Sequence, residues 1–256
     1  MVRSRRVFIG VLAIVFAACA AKTIATSGSM SAMGEMAMPG GWTVSHMWML
    51  MPAQSWLGAT ASFVGMWVVM MMAMMLPSVT PALVRYHDSL GRAGAGRVGA
   101  LTMVVGLGYF GVWAVLGAVI FPVGVMFADI AMREPVMSRA VPTAKAAVVL
   151  ISGLIQFAIW NAPHLPLCRT GFGRDQAPTD LSGAWRYGLR LGLHCCQSCA
   201  GLTLLVLSLG AMDWRVMLLA TVAVTARHYA SERNARYYPA PSKIVEFGGP
   251  AGIRRP

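Results

Sequence analysis

The chain has 256 residues, of which 57% are hydrophobic and 12% charged, with a mean hydropathy of +0.63. Globular chains carry about 25% charged residues, so this composition excludes a disordered chain, argues against a water-soluble enzyme and fits a protein that lives in a bilayer. The net charge is +12, from 21 Lys and Arg against 9 Asp and Glu; whether it signals nucleic acid or membrane orientation depends on where the basic residues fall.

Five tracts, 7–21, 36–84, 98–128, 146–168 and 191–212, contain no Asp, Glu, Lys or Arg. A helix needs about 20 apolar residues to span the hydrocarbon core. A further stretch near 212–230 is apolar between Asp213, Arg215 and Arg227, whose side chains can reach the interface. The tracts predict an all-α, polytopic membrane helical bundle of about six transmembrane helices, near 5–24, 57–77, 99–121, 145–163, 190–210 and 212–230. The corresponding organisation is a first transmembrane helix or signal anchor (1–24), a Met-rich extracytoplasmic segment (25–56), a five-helix membrane core (57–230) and a basic cytoplasmic tail (231–256).

Along the chain, Arg3, Arg5 and Arg6 precede an apolar stretch to Ala21. This reads as a retained first helix; a cleaved leader, or lipidation at Cys19 after Phe16-Ala17-Ala18, is the alternative. Residues 30–51 then carry Met30, Met33, Met36, Met38, Met47, Met49 and Met51 with His46. The spacing is loose and Gly-rich, which predicts a flexible segment or interfacial loop. Thioethers suit Cu(I) capture where thiols tend to be oxidised, and Trp42, Trp48 and Trp56 suit interfacial anchoring.

Span two ends in Met70-Met71-Met72-Ala73-Met74-Met75-Leu76-Pro77-Ser78, part of a total of 20 methionines. Methionine often only fills gaps in a core, but thioether sulfur is also a soft ligand that selects Cu(I). Met71 and Met75 share a helical face with Met74 beside them. Gly106, Gly108 and Gly111 in span three read as small residues that let helices approach. Past span four come His164 and Cys168, with Pro163 and Pro166 interrupting regular helix. Span five opens on His194-Cys195-Cys196-Gln197-Ser198-Cys199, in which Cys195 and Cys199 share a face and Cys196 and Cys199 form a C-x-x-C.

With the N-terminus in the cytoplasm and six alternating spans, the outer segments hold only Lys22, Arg133, Arg139, Lys145 and Arg215, leaving 21 − 5 = 16 basic residues inside. Both termini are then cytoplasmic, as the positive-inside rule requires. The charge is thus accounted for by orientation, and no nucleic-acid partner is needed. The same topology puts the three clusters at one depth, near the inner face. Thiolates, thioethers and imidazole gathered there predict a soft-metal site, most simply for copper as Cu(I), drawn from Met71, Met74, Met75, His164, Cys168, His194, Cys195, Cys196 and Cys199. No phosphate-binding Lys loop, G-x-S-x-G or H-E-x-x-H is present in the sequence, and Asp129 and Asp213 lie near the outer boundary, whereas a proton-coupled transporter more often carries a carboxylate deeper.

Trp67, Met70, Ala73-Met74-Met75-Leu76-Pro77-Ser78, Pro81 and Tyr86 together resemble the signature of a bacterial integral membrane family, described as predicted metal-binding and sometimes labelled copper chaperones. Gly192-Leu193-His194-Cys195, Cys199-Ala200-Gly201-Leu202 and Gly210-Ala211-Met212-Asp213 form a second similar block; Gln156, Leu165, Cys168 and Arg169 form a third. The chain departs from the family pattern at Ser198 and His164, where Cys is usual, and at Ala226-Arg227, where an acidic residue often comes first. The resemblance covers about residues 60–230 and implies a polytopic fold and metal binding.

These features lead to an expected bacterial inner-membrane, multi-pass protein in copper trafficking or delivery. Its partners would be membrane lipid and a copper donor or acceptor, which is either a protein or a membrane complex. Two alternatives remain open. One is a membrane thiol–disulfide oxidoreductase using Cys196 and Cys199; the other is an assembly subunit in which Met and Cys only pack. An enzymatic role is the less favoured expectation.

Overall fold

A computed structural model of the chain describes residues 2–32, 36–38, 42–44, 48, 55–94, 96–161, 177–209 and 214–237. The elements in order are α1 (Val2–Ala32), β1 (Met36–Met38), β2 (Trp42–Val44), α2 (Trp56–Arg92), α3 (Val98–Arg133), α4 (Pro135–Asn161), α5 (Leu181–Leu209) and α6 (Trp214–Tyr237). Five segments are long and apolar enough to cross a membrane: Ser4–Ser29, Trp56–Arg92, Val98–Arg133, Val136–Ala158 and Leu181–Ser208. The sixth helix contributes a shorter apolar stretch, Arg215–Ala226, among the described residues.

Two expectations are corrected. The Met-rich segment is not loop throughout, because β1 and β2 pair antiparallel, with Met36 opposite Val44 and Met38 opposite Trp42. The residues between them are Pro39, Gly40 and Gly41, types that tight turns favour. The helices also overrun the apolar tracts: α2 extends to Arg92 rather than 77, α3 to Arg133 rather than 121, α5 starts at Leu181 rather than 190, and α6 reaches Tyr237 rather than 230.

Capping, not the edge of the apolar tract, sets where two of these helices begin. Ser55 accepts a hydrogen bond from Gly58 N at 3.2 Å to open α2, and Asp180 Oδ2 accepts from Gly183 N at 2.8 Å to open α5. Gly94, at φ +69°, makes the turn after α2. Inside α2, Pro77 and Pro81 cannot donate, which leaves the carbonyls of Ala73 and Pro77 without their helical partners. The helix continues nonetheless. Ser78 and Thr80 hydroxyls bond back to Met75 O and Leu76 O at 2.9 and 2.7 Å.

Packing defines the arrangement. α3 lies against both α2 and α5, and α6 also touches both. These four close a ring in which α2 and α5 face each other diagonally. α1 packs outside on α2, and α4 outside on α5. Ser4 Oγ is 3.4 Å from His87 Nε2, Phe8 stacks on the His87 ring at 4.8 Å, and Arg5 pairs with Asp88 at 3.6 Å. α1 is therefore antiparallel to α2. The exposed ion pair contributes about 0–1 kcal/mol.

The α3–α5 seam is tighter than side chains allow. A Cβ on Gly108 would sit 2.9 Å from Trp185 O and 3.2 Å from Gly188 Cα; one on Gly192 would sit 2.8 Å from Tyr109 O; one on Gly188 would overlap the Val105 carbonyl. These contacts run in the same sense along both helices, so α3 and α5 are parallel. Of the glycines expected to mediate packing, Gly108 does so, Gly111 faces Trp185 at ordinary contact, and Gly106 borders open space. The α2–α3 seam is aromatic. Trp67 Nε1 donates to Trp113 O at 3.0 Å and its ring lies over Gly117. Phe63 packs on Trp67, Phe121 and Trp48 at 6.0, 4.9 and 5.5 Å, and Trp56 on Phe121 at 5.7 Å.

Replacing Gly188 by Ala should therefore destabilise the protein by about 1–3 kcal/mol, as overpacking does. Gly106→Ala should be close to neutral. Thermal unfolding of both variants in one detergent checks the contrast, and equal melting temperatures would contradict the seam.

Candidate metal centre

The sulfur-bearing faces point into the bundle. On α2, Met70, Met71, Met74 and Met75 are all buried, with Met71 and Met75 each 1% exposed. On α5, Cys195 and Cys199 are buried at 6% and 2%. All six belong to one contiguous core with Trp67, Tyr109 and Trp113. Heights agree as well. Trp67 meets Trp113, Met70 and Met71 follow one turn further along α2, and Tyr109 lies one turn from Trp113 on antiparallel α3. At that level Tyr109 Oη donates to Cys195 Sγ at 2.9 Å. Cys195 Sγ is in turn 3.9 Å from Cys199 Sγ. The described cysteines, Cys19, Cys195, Cys196 and Cys199, form no disulfide.

The remaining candidates fall elsewhere. Cys196 is half-buried against the core. His194 is half-buried, and its Nδ1 is sealed with no hydrogen-bond partner among the described residues. His194 is two turns from Gly201 and shares its face. Gly201 abuts Ser152 O and Gln156, whose Oε1 is likewise buried and unpartnered. At that face of α5, outside the sulfur cluster, two buried polar atoms thus have no partner among the described residues. His164 and Cys168 lie outside the described residues, as do the side chains of the outer methionines. Among the described residues no three His, Cys, Asp or Glu side chains converge on one point, so neither His194 nor Cys196 joins the Cys195–Cys199 pair in a three-donor group. A soft further donor to that pair is then a thioether or comes from outside the described residues.

The site also lies inside continuous helix, since α5 begins 195 − 181 = 14 residues before Cys195, about 21 Å along the axis at 1.5 Å per residue. The expectation that the clusters sit at helix ends is corrected for two of them: α2 runs on to Arg92 past the Met run, and α5 begins at Leu181, well before Cys195.

The family model described as PpoB2, copper chaperone, matches residues 64–248. The chain belongs to this family. The match begins just before Trp67 and takes in the Met run, Tyr109 and Cys195–Cys199. It starts after α1 and the hairpin. Searches of curated proteins and of solved structures found no match.

Tyr109 is the residue the motif reading passed over. A tyrosine in the middle of an apolar span is itself a signal, because its buried hydroxyl requires a partner. Trp113, fully buried one turn on, interacts with Tyr109 through its side chain, although its Nε1 meets no acceptor at strict hydrogen-bonding geometry among the described residues. At the entrance to α5, Tyr86 Oη donates to Pro178 O at 2.7 Å and stacks on Tyr187 at 5.5 Å. This ties the end of α2 to the segment that leads into α5.

Asp180 sets the start of α5. Hydrogen bonds from the Ser182 hydroxyl and Gly183 amide hold its carboxyl below the usual carboxylate range. A depressed folded pKa gives stability that is present above the unfolded value of about 3.9 and lost as pH falls through the folded one. Amide hydrogen exchange in the first turn of α5 should therefore accelerate as pH drops below about 4, after correction for intrinsic rates. Asp180→Asn should flatten that dependence; an unchanged profile would remove the cap from the account.

Proposed function

We propose that this protein is a multi-pass membrane carrier of Cu(I), held inside the bundle by Cys195 and Cys199 with thioether support from Met71, Met74 and Met75, and passed on to an acceptor. The single observation that carries the reading is the pair of buried thiols 3.9 Å apart in a methionine-lined core. With metal–sulfur bonds of about 2.3 Å, two sulfurs on a trigonal ion stand about 4.0 Å apart. The pair thus fits a shared ion with one further donor. The donors are soft, uncharged or singly charged on binding, and suited to Cu(I) over hard divalent ions.

Loading balances as ligand exchange. Copper leaves two thiolates of the donor in turn, each takes the proton of one of the Cys195 and Cys199 thiols as that sulfur binds, and copper stays Cu(I) throughout. No fuel is required. The membrane setting rests on the five span-length helices. Arg5, Arg85, Arg92, Arg97, Arg186 and Arg190 all belong to the helix ends and turn at one end of the bundle, which favours that end, with both chain termini, on the cytoplasmic side of the inner membrane. His164, Cys168, His194 and Cys196 then remain as candidate hand-over ligands. The oxidoreductase alternative needs Cys196 with Cys199, whereas the sulfurs found together are Cys195 and Cys199.

Detergent-purified protein given Cu(I) under reducing conditions should retain about one copper per chain by elemental analysis. Cys195→Ser with Cys199→Ser should reduce this to background, and Cys196→Ser should retain most of it. Full retention in the double variant would end the copper assignment to this pair.

A further inference from the structure

We propose that Tyr109 is a positioning residue that fixes the separation of the cysteine pair, and with it the coordination number of the ion the pair holds. The inference rests on the copper reading above for the identity of the ion, but its geometric half stands alone. A cysteine side chain has three staggered positions, and in a helix one of them is disfavoured by the preceding turn. Nothing about an α-helix decides between the other two. Here a hydrogen bond does so. The Tyr109 hydroxyl reaches Cys195 Sγ at 2.9 Å, and in that position Cys195 Sγ is 3.9 Å from Cys199 Sγ.

The phenol is well placed to impose this choice. Tyr109 is 1% exposed and has few torsions to lose. Its backbone is held against α5 where Gly192 has no side chain to keep it away, and Gly188 does the same one turn earlier at Val105. The hydroxyl is buried, so leaving its bond unmade costs free energy. A sulfur bonded to copper retains lone pairs, so the same bond persists in the loaded state. At about 4 Å the two sulfurs suit a trigonal ion, whereas a linear two-coordinate ion needs about 4.6 Å from bonds near 2.3 Å. By holding the pair close, Tyr109 keeps the ion open to a third ligand. That ligand is a thioether of α2 at rest and an incoming sulfur donor during transfer.

The test compares full-length wild type with Tyr109→Phe, which keeps the ring and removes the hydroxyl. In copper-free protein, a membrane-permeant bifunctional thiol reagent that fluoresces only when both arms have reacted reports the Cys195–Cys199 separation, with mass spectrometry locating the bridge. Bridging should slow about three- to tenfold in the variant, the change expected for one lost buried hydrogen bond. Monofunctional alkylation of Cys196, next to it on the same turn, should not change. In copper-loaded protein, X-ray absorption should show three sulfur neighbours in wild type, with a shift to two shorter copper–sulfur bonds in the variant. Unchanged bridging, or equal slowing at Cys196, overturns the positioning role whether or not copper binds. If wild type takes up no copper while bridging still depends on the hydroxyl, the copper reading fails and the geometric role survives. Bridging that slows while copper coordination stays the same overturns the link to coordination number.

Discussion

The close approach of α3 to α5 is the constraint on which the sulfur centre depends. Gly108, Gly188 and Gly192 bring two backbones together at distances that no Cβ would tolerate. In a bilayer there is little hydrophobic drive between helices, so backbone proximity and the dispersion it allows supply much of the association. The same proximity has a second effect. A tyrosine on α3 is too long to end beside its neighbour's backbone, and its hydroxyl passes the seam to reach Cys195 on α5. Widening the seam would withdraw the hydroxyl from the thiol and leave both polar atoms in a dry core, where an unsatisfied group costs about 1–3 kcal/mol. Helix packing and the arrangement of the thiols are therefore one problem with one solution.

Methionine on α2 follows from the geometry of the ring. α2 stands diagonal to α5, and in a four-helix bundle only long side chains cross that span. Leucine would fill the volume near α2 but is branched and short. Methionine is unbranched, reaches further and adapts to irregular gaps. Pro77 and Pro81 lie just beyond the run and free the carbonyls of Ala73 and Pro77, yet α2 stays continuous helix through them. The aromatic column above, from Trp48 and Trp56 through Phe121 and Phe63 to Trp67, is rigid by comparison. It sets the height of the Met run by fixing Trp67 against Trp113 and Gly117.

Much of this was legible in the chain. Five charge-free tracts match the five span-length helices, because a helix that meets lipid must bond its backbone groups internally, and the i, i+4 spacing of Cys195 and Cys199 gives the shared face. Helix ends were not legible from hydropathy. A helix such as α2 continues through polar residues and two prolines until a turn such as Gly94 stops it, and hydropathy senses only lipid. The β1–β2 pairing is not legible in the pattern because each strand is only three residues long, shorter than the roughly four to eight over which alternation marks a strand. Tyr109 escaped notice because its role is defined by a residue 86 positions away, and no local pattern encodes such a pairing. His194 and Cys196 looked equivalent to their neighbours in the sequence. Their separation from the thiol pair arises from the 100° step of the helix, which turns adjacent residues to different seams.

Burial also constrains how any ion on this pair would move. Cys199 and Met71 are 2% and 1% exposed, so water and soluble chelators reach them only if helices part. On the side of Trp48 and Trp56 the aromatic column is packed ring on ring, and opening it would strip several large side chains of contact at once. Toward the other end the contacts are mixed: the Tyr86–Tyr187 and Phe8–His87 stacks sit beside the Tyr86–Pro178 and Ser4–His87 hydrogen bonds and the Arg5–Asp88 pair. The polar contacts among these are individually weak and partly exposed. Opening at that end breaks hydrogen bonds that water can replace and parts two ring stacks, whereas opening at the Trp48–Trp56 end parts a longer run of rings whose exposure water cannot compensate. An ion held by this pair would therefore have its less costly route through the basic end of the bundle, past Tyr86 and the start of α5.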